Sequence, residues 1–271
     1  MHEFEERAER ARYLRVALRY ADAVAALGLP EPEAARRLLA AAPGATGRTH
    51  TAIVPLPDRS AKIHLRPVRH GGLLGGLWRG ALLGMHRPIR ELEVTGQLSH
   101  AGVAVPDPVL VAGWRIFGPF WSAVVGTAHL ERSIDGVALL ADAPQPKRLL
   151  RAAEAAGRAV RRFHDAGGRH ADLHLKNLLF RESGEATEAW IVDLDKARVG
   201  APPRARRRAR ELMRLYRSLI KRRLSGRVGR RGCARFLAAY VAGDRELRRA
   251  LRTHFRFERL RIAVHALAYR R

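Results

Sequence analysis

Residues 170–177 read HADLHLKN and residues 191–195 read IVDLD. In the first stretch Asp172 and Asn177 stand five positions apart, in front of the apolar run LLF at 178–180. In the second, Asp193 closes an apolar run sixteen residues after the asparagine. A carboxylate, a carboxamide and a second carboxylate on two short loops are the set that phosphoryl transfer requires. One carboxylate orients an accepting hydroxyl and takes its proton, while an amide oxygen and the other carboxylate hold magnesium against the phosphates. Asp172 is thus a candidate base, and Asn177 and Asp193 are candidate metal ligands. H-x-D-L-x-x-x-N alone arises by accident; the aspartate ending the following strand is an independent match. His170 reads as a brace for the loop rather than a reacting group. His174 and Lys176 either contact a carboxylate of the acceptor or face solvent, and Asp195 is either a second acidic ligand or a salt-bridge partner for nearby arginines.

These loops need a scaffold. Helix 146–166, KRLLRAAEAAGRAVRRFHDAG, has helical periodicity and a glycine stop immediately before the first loop. Upstream, residues 4–27 and 31–42 read as two helices separated by GLPEP. Two alternating runs at 49–56 and 61–68, joined at PDRS, read as a β-hairpin. A helix follows at 87–100, with proline near its first turn, and PDPVLVAGWRIFGPFWSAVVG gives two more strands around a Gly-Pro turn. From about 204 onward the chain reads as helical and basic. The expected fold is α+β, a small antiparallel sheet with one helix followed by a mostly helical half. The expected division is an amino-terminal helical extension over 1–43, a small lobe over 44–132 and a large lobe over 133–271.

Bulk properties narrow the function classes. The chain has 271 residues, 47% of them hydrophobic, enough for a real core. A single cysteine, Cys233, excludes an internal disulfide or a cysteine-based zinc site and fits a reducing compartment. The first residues, MHEFEERAERARYL, carry no apolar signal region. GGLLGGLWRGALLGM is too short and, with Arg79, too charged to span a bilayer. Leu73, Leu74, Leu77, Trp78, Leu82 and Leu83 within it form either an inward-packing helix or an apolar surface that dips into a bilayer. Net charge is +25, and between Pro202 and Arg271 there are 23 arginines and lysines against 4 acidic residues. Such a tail favours phosphate-bearing partners. Arginines 204, 206, 207, 208 and 210 read as a solvated helical face or a headgroup-docking surface. An aromatic content of 6% offers few stacking platforms and weighs against nucleic acid.

HADLHLKN followed by VDLD resembles the catalytic and metal-binding loops of the protein-kinase-like superfamily. HLRPVRHGGLLGGLWRG, RPIRELEVTGQLSHAGVAVPDPV, RARELMRLYRSLIKRR and FLAAYVAGDREL resemble, in order, segments of bacterial Kdo kinases and lipopolysaccharide core heptose kinases. The resemblance covers roughly residues 44–245. It implies a two-lobed protein-kinase-like fold, ATP and Mg2+ as cofactors, and a lipopolysaccharide core or lipid A glycolipid as substrate. It also implies action at the cytoplasmic face of the inner membrane, against an anionic membrane surface. Asp172 is then the catalytic base, Asn177 and Asp193 are the magnesium ligands, and Glu91 is the helix glutamate. That glutamate pairs with a strand cation on the nucleotide phosphates. Strand alternation puts Lys62, His64 and Arg66 on one face, and IHLR favours Arg66 for this role with Lys62 as the competitor. An arginine there departs from the protein-kinase rule of lysine and changes the geometry of the phosphate contact. Gly44 and Gly47 of PGATG stand where a phosphate-covering loop belongs, short of a full G-x-G-x-x-G; an ordinary turn is the alternative. Two other functions fit the residues: a kinase acting on a protein or soluble metabolite hydroxyl, or a non-catalytic binder of anionic lipid or nucleic acid.

Overall fold

The computed structural model describes residues 3–41, 51–58, 61–68 and 81–268, with the side chains of the last helix described as far as residue 256. Gly44 and Gly47 lie outside the described residues, as do residues 71–80 with Leu73, Leu74, Leu77 and Trp78. Two compact units emerge: Met1–His100 with Pro106–Leu130, and Ala101–Val105 with Glu131–Arg271.

The amino-terminal unit is an antiparallel sheet with helices on both faces. Its strands are β1 (Phe4–Ala8), β2 (Arg12–Ala17), β3 (Ala52–Pro55), β4 (Lys62–Pro67), β5 (Leu82–Leu83), β6 (Pro108–Phe117) and β7 (Phe120–Ala128). They run in the order β1-β2-β6-β7-β4-β3, with β5 paired to β7. Alternation divides the side chains between two cores. Leu14, Val16, Ile63, Leu65 and Leu110 pack with Val24 of α1 (Ala21–Ala26) and Ala35 of α2 (Pro32–Ala41). Tyr13, Val111 and Val125 face the other way, onto Met85 and Leu92 beside and within α3 (His86–His100).

This arrangement corrects the expected helix over 4–27. Its first half is the β1–β2 hairpin, and β2 pairs in register with β6, Tyr13 opposite Gly113 and Val16 opposite Leu110. Tyr13 feeds one core while Leu14 and Val16 feed the other. A strand buried on both faces shows no polar alternation, and the Ala, Leu and Arg content then mimics a helix. Ladder pairing overrides propensity here. The remaining expectations in this unit correspond to β3–β4, α2, α3 and the β6–β7 hairpin. Leu82 is buried and Leu83 exposed on β5, so these two form a strand and not part of a helix.

The carboxy-terminal unit is built on α5 (Pro146–Asp165), which packs against α7 (Ser225–Val241) and strand β10 (Ala186–Ile191). A three-stranded sheet joins β8 (Ser133–Asp135), β9 (Leu178–Ser183) and β10, with the short helix α4 (Gly136–Ala141) beside it. Helices α6 (Ala205–Lys221) and α8 (Arg245–Ala268) pack together. At the end of α5, Gly167 has φ +81°, and a Cβ there would lie 1.8 Å from the Gly200 carbonyl oxygen. Only glycine allows this turn and this close approach, which start the loop carrying Asp172. Among the described residues no helix is long and apolar enough to cross a membrane.

Candidate active site

In the amino-terminal unit, β4 and α3 bring two predicted residues together. Arg66 lies opposite Val125, on the α3 side of the sheet. Its Nη2 donates to Oε1 of Glu91, a buried carboxylate on the second turn of α3. Thr95, one helical turn further on, donates its hydroxyl to the Glu91 carbonyl at 2.7 Å. Lys62 and His64 share the strand face of Arg66, but the Glu91 carboxylate takes Arg66. His64 is held below the ordinary histidine range by burial and then by the neighbouring Arg66 charge.

In the carboxy-terminal unit, Arg169 and Arg198 exchange backbone hydrogen bonds of 2.9 and 3.0 Å, pinning the start of the first loop beside the end of the second. The buried His170 bridges the two loops. Its Nδ1 accepts from the Asp172 amide at 3.2 Å, so Nε2 carries the proton and donates to the Val192 carbonyl at 3.3 Å. Burial lowers its pKa, keeping the ring neutral, as this tautomer requires. The histidine is a brace, placed one bond from Asp172 and one residue from Asp193.

Asn177 completes the joint. Its Nδ2 donates to the Asp172 carbonyl at 2.9 Å, which orients the amide and leaves Oδ1 as its acceptor atom. Its carbonyl accepts from the Val192 amide at 3.0 Å, and its own amide donates to the His174 carbonyl at 2.9 Å. Asp193 is exposed and has φ +62°, a left-handed conformation that aspartate adopts more readily than most residues, though at a strain cost of about 1–2 kcal/mol. Its flanks Ile191 and Leu194 are buried, so the strain aims a polar side chain outward from an apolar frame. Asp172 is exposed, and His174 Nε2 lies 3.6 Å from its Oδ2. His174 Nδ1 is buried without a hydrogen-bond partner. Lys176 is exposed and Asp195 half-buried.

Beneath the loops lies a polar network that the sequence did not announce. Glu211 of α6 is buried, and its Oε2 accepts from the His170 amide at 2.9 Å and from His164 Nε2 at 3.2 Å. Arg207 Nε donates to Oε1 at 3.2 Å. His164 Nδ1 accepts from the Tyr240 hydroxyl at 2.6 Å, and burial raises the Tyr240 pKa to about 12. Burial drives His164 below its usual range and keeps it neutral. For Glu211 burial is the largest influence and acts upward, yet the hydrogen bonds from His164 and the His170 amide outweigh it and leave a lowered pKa. The available signal was that Glu211 is the only acid on α6, among arginines.

The structure therefore brings Arg66 to Glu91, and the Asp172 backbone to Asn177 and, through His170, to the residue before Asp193. What the second set offers chemically is an exposed carboxylate, an oriented amide oxygen and a second exposed carboxylate on a rigid joint. Among the described residues no cluster of three or more His, Cys, Asp or Glu forms a self-sufficient metal cage. Such a donor set suits a hard cation that takes its remaining oxygens from phosphates and water.

Comparisons with known proteins converge. Residues 45–240 match the family model described as the lipopolysaccharide kinase (Kdo/WaaP) family. A 3-deoxy-D-manno-octulosonic acid kinase of Xanthomonas campestris pv. campestris (strain B100) is 34% identical over 165 residues, 59% of this chain and 62% of that protein. One of Stenotrophomonas maltophilia (strain R551-3) is 37% identical over 147 residues, 54% of this chain and 55% of that protein. The match thus spans less than two thirds of these relatives' lengths. A solved structure, WaaP in complex with acyl carrier protein, superposes with a TM-score of 0.54 at 23% identity, covering 79% of this chain and 84% of that one.

Proposed function

This chain belongs to the lipopolysaccharide kinase (Kdo/WaaP) family and has a kinase-like fold, and from that premise we propose that it transfers the γ-phosphate of ATP to a sugar hydroxyl of the lipopolysaccharide inner core. The relatives that match over part of their length are kinases of 3-deoxy-D-manno-octulosonic acid, which makes that sugar the first acceptor to test. The observation that carries the reading is the joint made by His170 and Asn177, which fixes the backbone of Asp172 and the residue before Asp193.

Asp172 orients the acceptor hydroxyl and takes its proton as the hydroxyl oxygen attacks the γ-phosphorus; the bond to the β-phosphate oxygen breaks and ADP leaves. Asn177, through Oδ1, and Asp193, through its carboxylate, hold Mg2+. Bound with the nucleotide, Mg2+ supplies neutralisation of the phosphate charge. Arg66, held by Glu91, contacts the nucleotide phosphates through its planar fork. His170 stays neutral and keeps the Asp172 backbone in place. Gly44 and Gly47 remain candidates for covering the phosphates. The basic carboxy-terminal helices draw the protein to an anionic membrane surface at the cytoplasmic face of the inner membrane, where the glycolipid is presented.

Mass analysis of a Kdo-lipid A acceptor after incubation with Mg-ATP tests this. The expected product carries one added phosphate on the Kdo sugar. An unmodified acceptor under conditions where ATP is consumed would assign the enzyme a different acceptor.

A further inference from the structure

Next to the loop of Asp172 lies a cavity of about 700 Å³, formed wholly by the carboxy-terminal unit. Arg169, Arg204, Arg206, Arg207, Arg210 and Arg214 line it. Ala171, the chain neighbour of Asp172, is part of its wall. Its one acidic member is Glu211, and both oxygens of that carboxylate are already engaged, by Arg207, His164 and the His170 amide. Among the described residues Arg169, Arg204, Arg206 and Arg214 make no ion pair with a carboxylate, and Arg207 shares the satisfied Glu211.

Several arginines are held in place without being neutralised. Arg169 Nη2 donates to the Ala201 carbonyl at 3.0 Å, while its buried Nε has no hydrogen-bond partner. Arg214 donates to the His170 carbonyl at 3.3 Å, a contact that positions the head without cancelling its charge. Arg204 and Arg206 make no ion pair with a carboxylate among the described residues. Arg208, in the middle of the same run, turns away and is buried against Asp165 at 2.7 Å and the Pro203 carbonyl. The run is therefore sorted: one arginine serves the core, and its neighbours surround a cavity. The amino terminus of α6 opens here with no acid in its first turn, so its dipole adds to the positive potential.

We infer that this cavity binds a phosphate substituent of the acceptor glycolipid, one distinct from the hydroxyl that Asp172 serves. Phosphate, with up to two charges and three oxygens, accepts several guanidinium forks at once, which a single carboxylate cannot match. Bound there, it places a nearby sugar hydroxyl at the Asp172 loop, a positioning role. The identity of the acceptor rests on the phosphotransfer reading; the anion site itself does not.

The test measures direct binding to the full chain of two soluble probes: a deacylated glycolipid carrying sugar phosphates, and the same compound after phosphatase treatment. The wild type is expected to bind the phosphorylated probe at least ten-fold more tightly, and Arg204→Ala/Arg206→Ala to erase most of that difference. Arg230→Ala/Arg231→Ala removes two exposed charges from α7, outside the cavity, and is expected to preserve it. Equal affinity of the wild type for both probes overturns the proposal, as does equal loss in both double variants, which would assign the effect to overall charge. Phosphate-dependent binding without phosphate transfer to the phosphorylated probe would keep the cavity and reject this acceptor for the transfer reaction.

Discussion

The two units fix their functional side chains by opposite means. In the amino-terminal unit an ion pair, Arg66 to the buried Glu91, ties a strand to a helix. In the carboxy-terminal unit the Asp172 loop is held by a set of mostly neutral bonds through His170 and Asn177, resting on one buried carboxylate, Glu211. A charged pair between one strand and one helix acts on the side chain it positions for the nucleotide. A network anchored on one charge couples the loop to global stability. Loss of Glu211 should therefore lower stability, whereas neutralising Glu91 should act mainly on the hold over Arg66.

The largest expected effect follows directly. Glu211→Ala strands the His170 amide, His164 and Arg207, and should cost about 3 kcal/mol, lowering Tm by roughly 6–12 °C in a chain of this size. Glu211→Gln keeps an acceptor for the amide and should cost about 1 kcal/mol. Thermal denaturation of both variants checks this; equal Tm for wild type and alanine variant would remove the anchor from the account. Next in size, Glu91→Gln weakens the hold on Arg66, and kcat/KM for ATP is expected to fall about ten-fold, equivalent to about 1.4 kcal/mol, with Tm nearly unchanged. A large Tm loss instead would make the two units alike.

A pH profile sharpens the contrast further. His164 and His170 are both driven below the ordinary histidine value of 6.5 by burial, so the native state holds them neutral. Below 6.5 the unfolded chain binds protons that the folded chain refuses, so stability falls as pH drops through that value and is fully present above it. Glu211, held below the usual carboxylate range, adds a loss only further into acid. Urea midpoints between pH 8 and 5.5 should decline on the acid side, and a flat profile would contradict the neutral-histidine joint. The smallest effect is expected from Lys147→Ala: its pair with Glu185 is 75% and 82% exposed, and Tm should not change measurably.

What the sequence disclosed depended on distance along the chain. Asp172, Asn177 and Asp193 stood out as candidates because HADLHLKN and IVDLD lie within one short segment, whereas strand alternation left Lys62, His64 and Arg66 on one face and only the family resemblance singled out Arg66 and Glu91, which the structure sets in contact. Glu211, His164 and Tyr240 were not, since their partners stand 41 to 76 residues away and no local pattern joins them. β2 was misread because burial on both faces erased its alternation. The arginine run at 204–210 was read as one face, yet Arg208 belongs to the interior and its neighbours to a cavity, a division made by tertiary packing with Asp165 and Pro203.

The central claim is that Asp172 and Asp193 act in one phosphoryl transfer, and the most direct measurement is the steady-state rate of γ-phosphate transfer from Mg-ATP to Kdo-lipid A by wild type, Asp172→Asn and Asp193→Asn, each checked for an unchanged Tm. Both variants should lose at least about a hundred-fold in rate, with both proteins folded. A folded Asp172→Asn protein that transfers phosphate within a few-fold of the wild type would contradict the account.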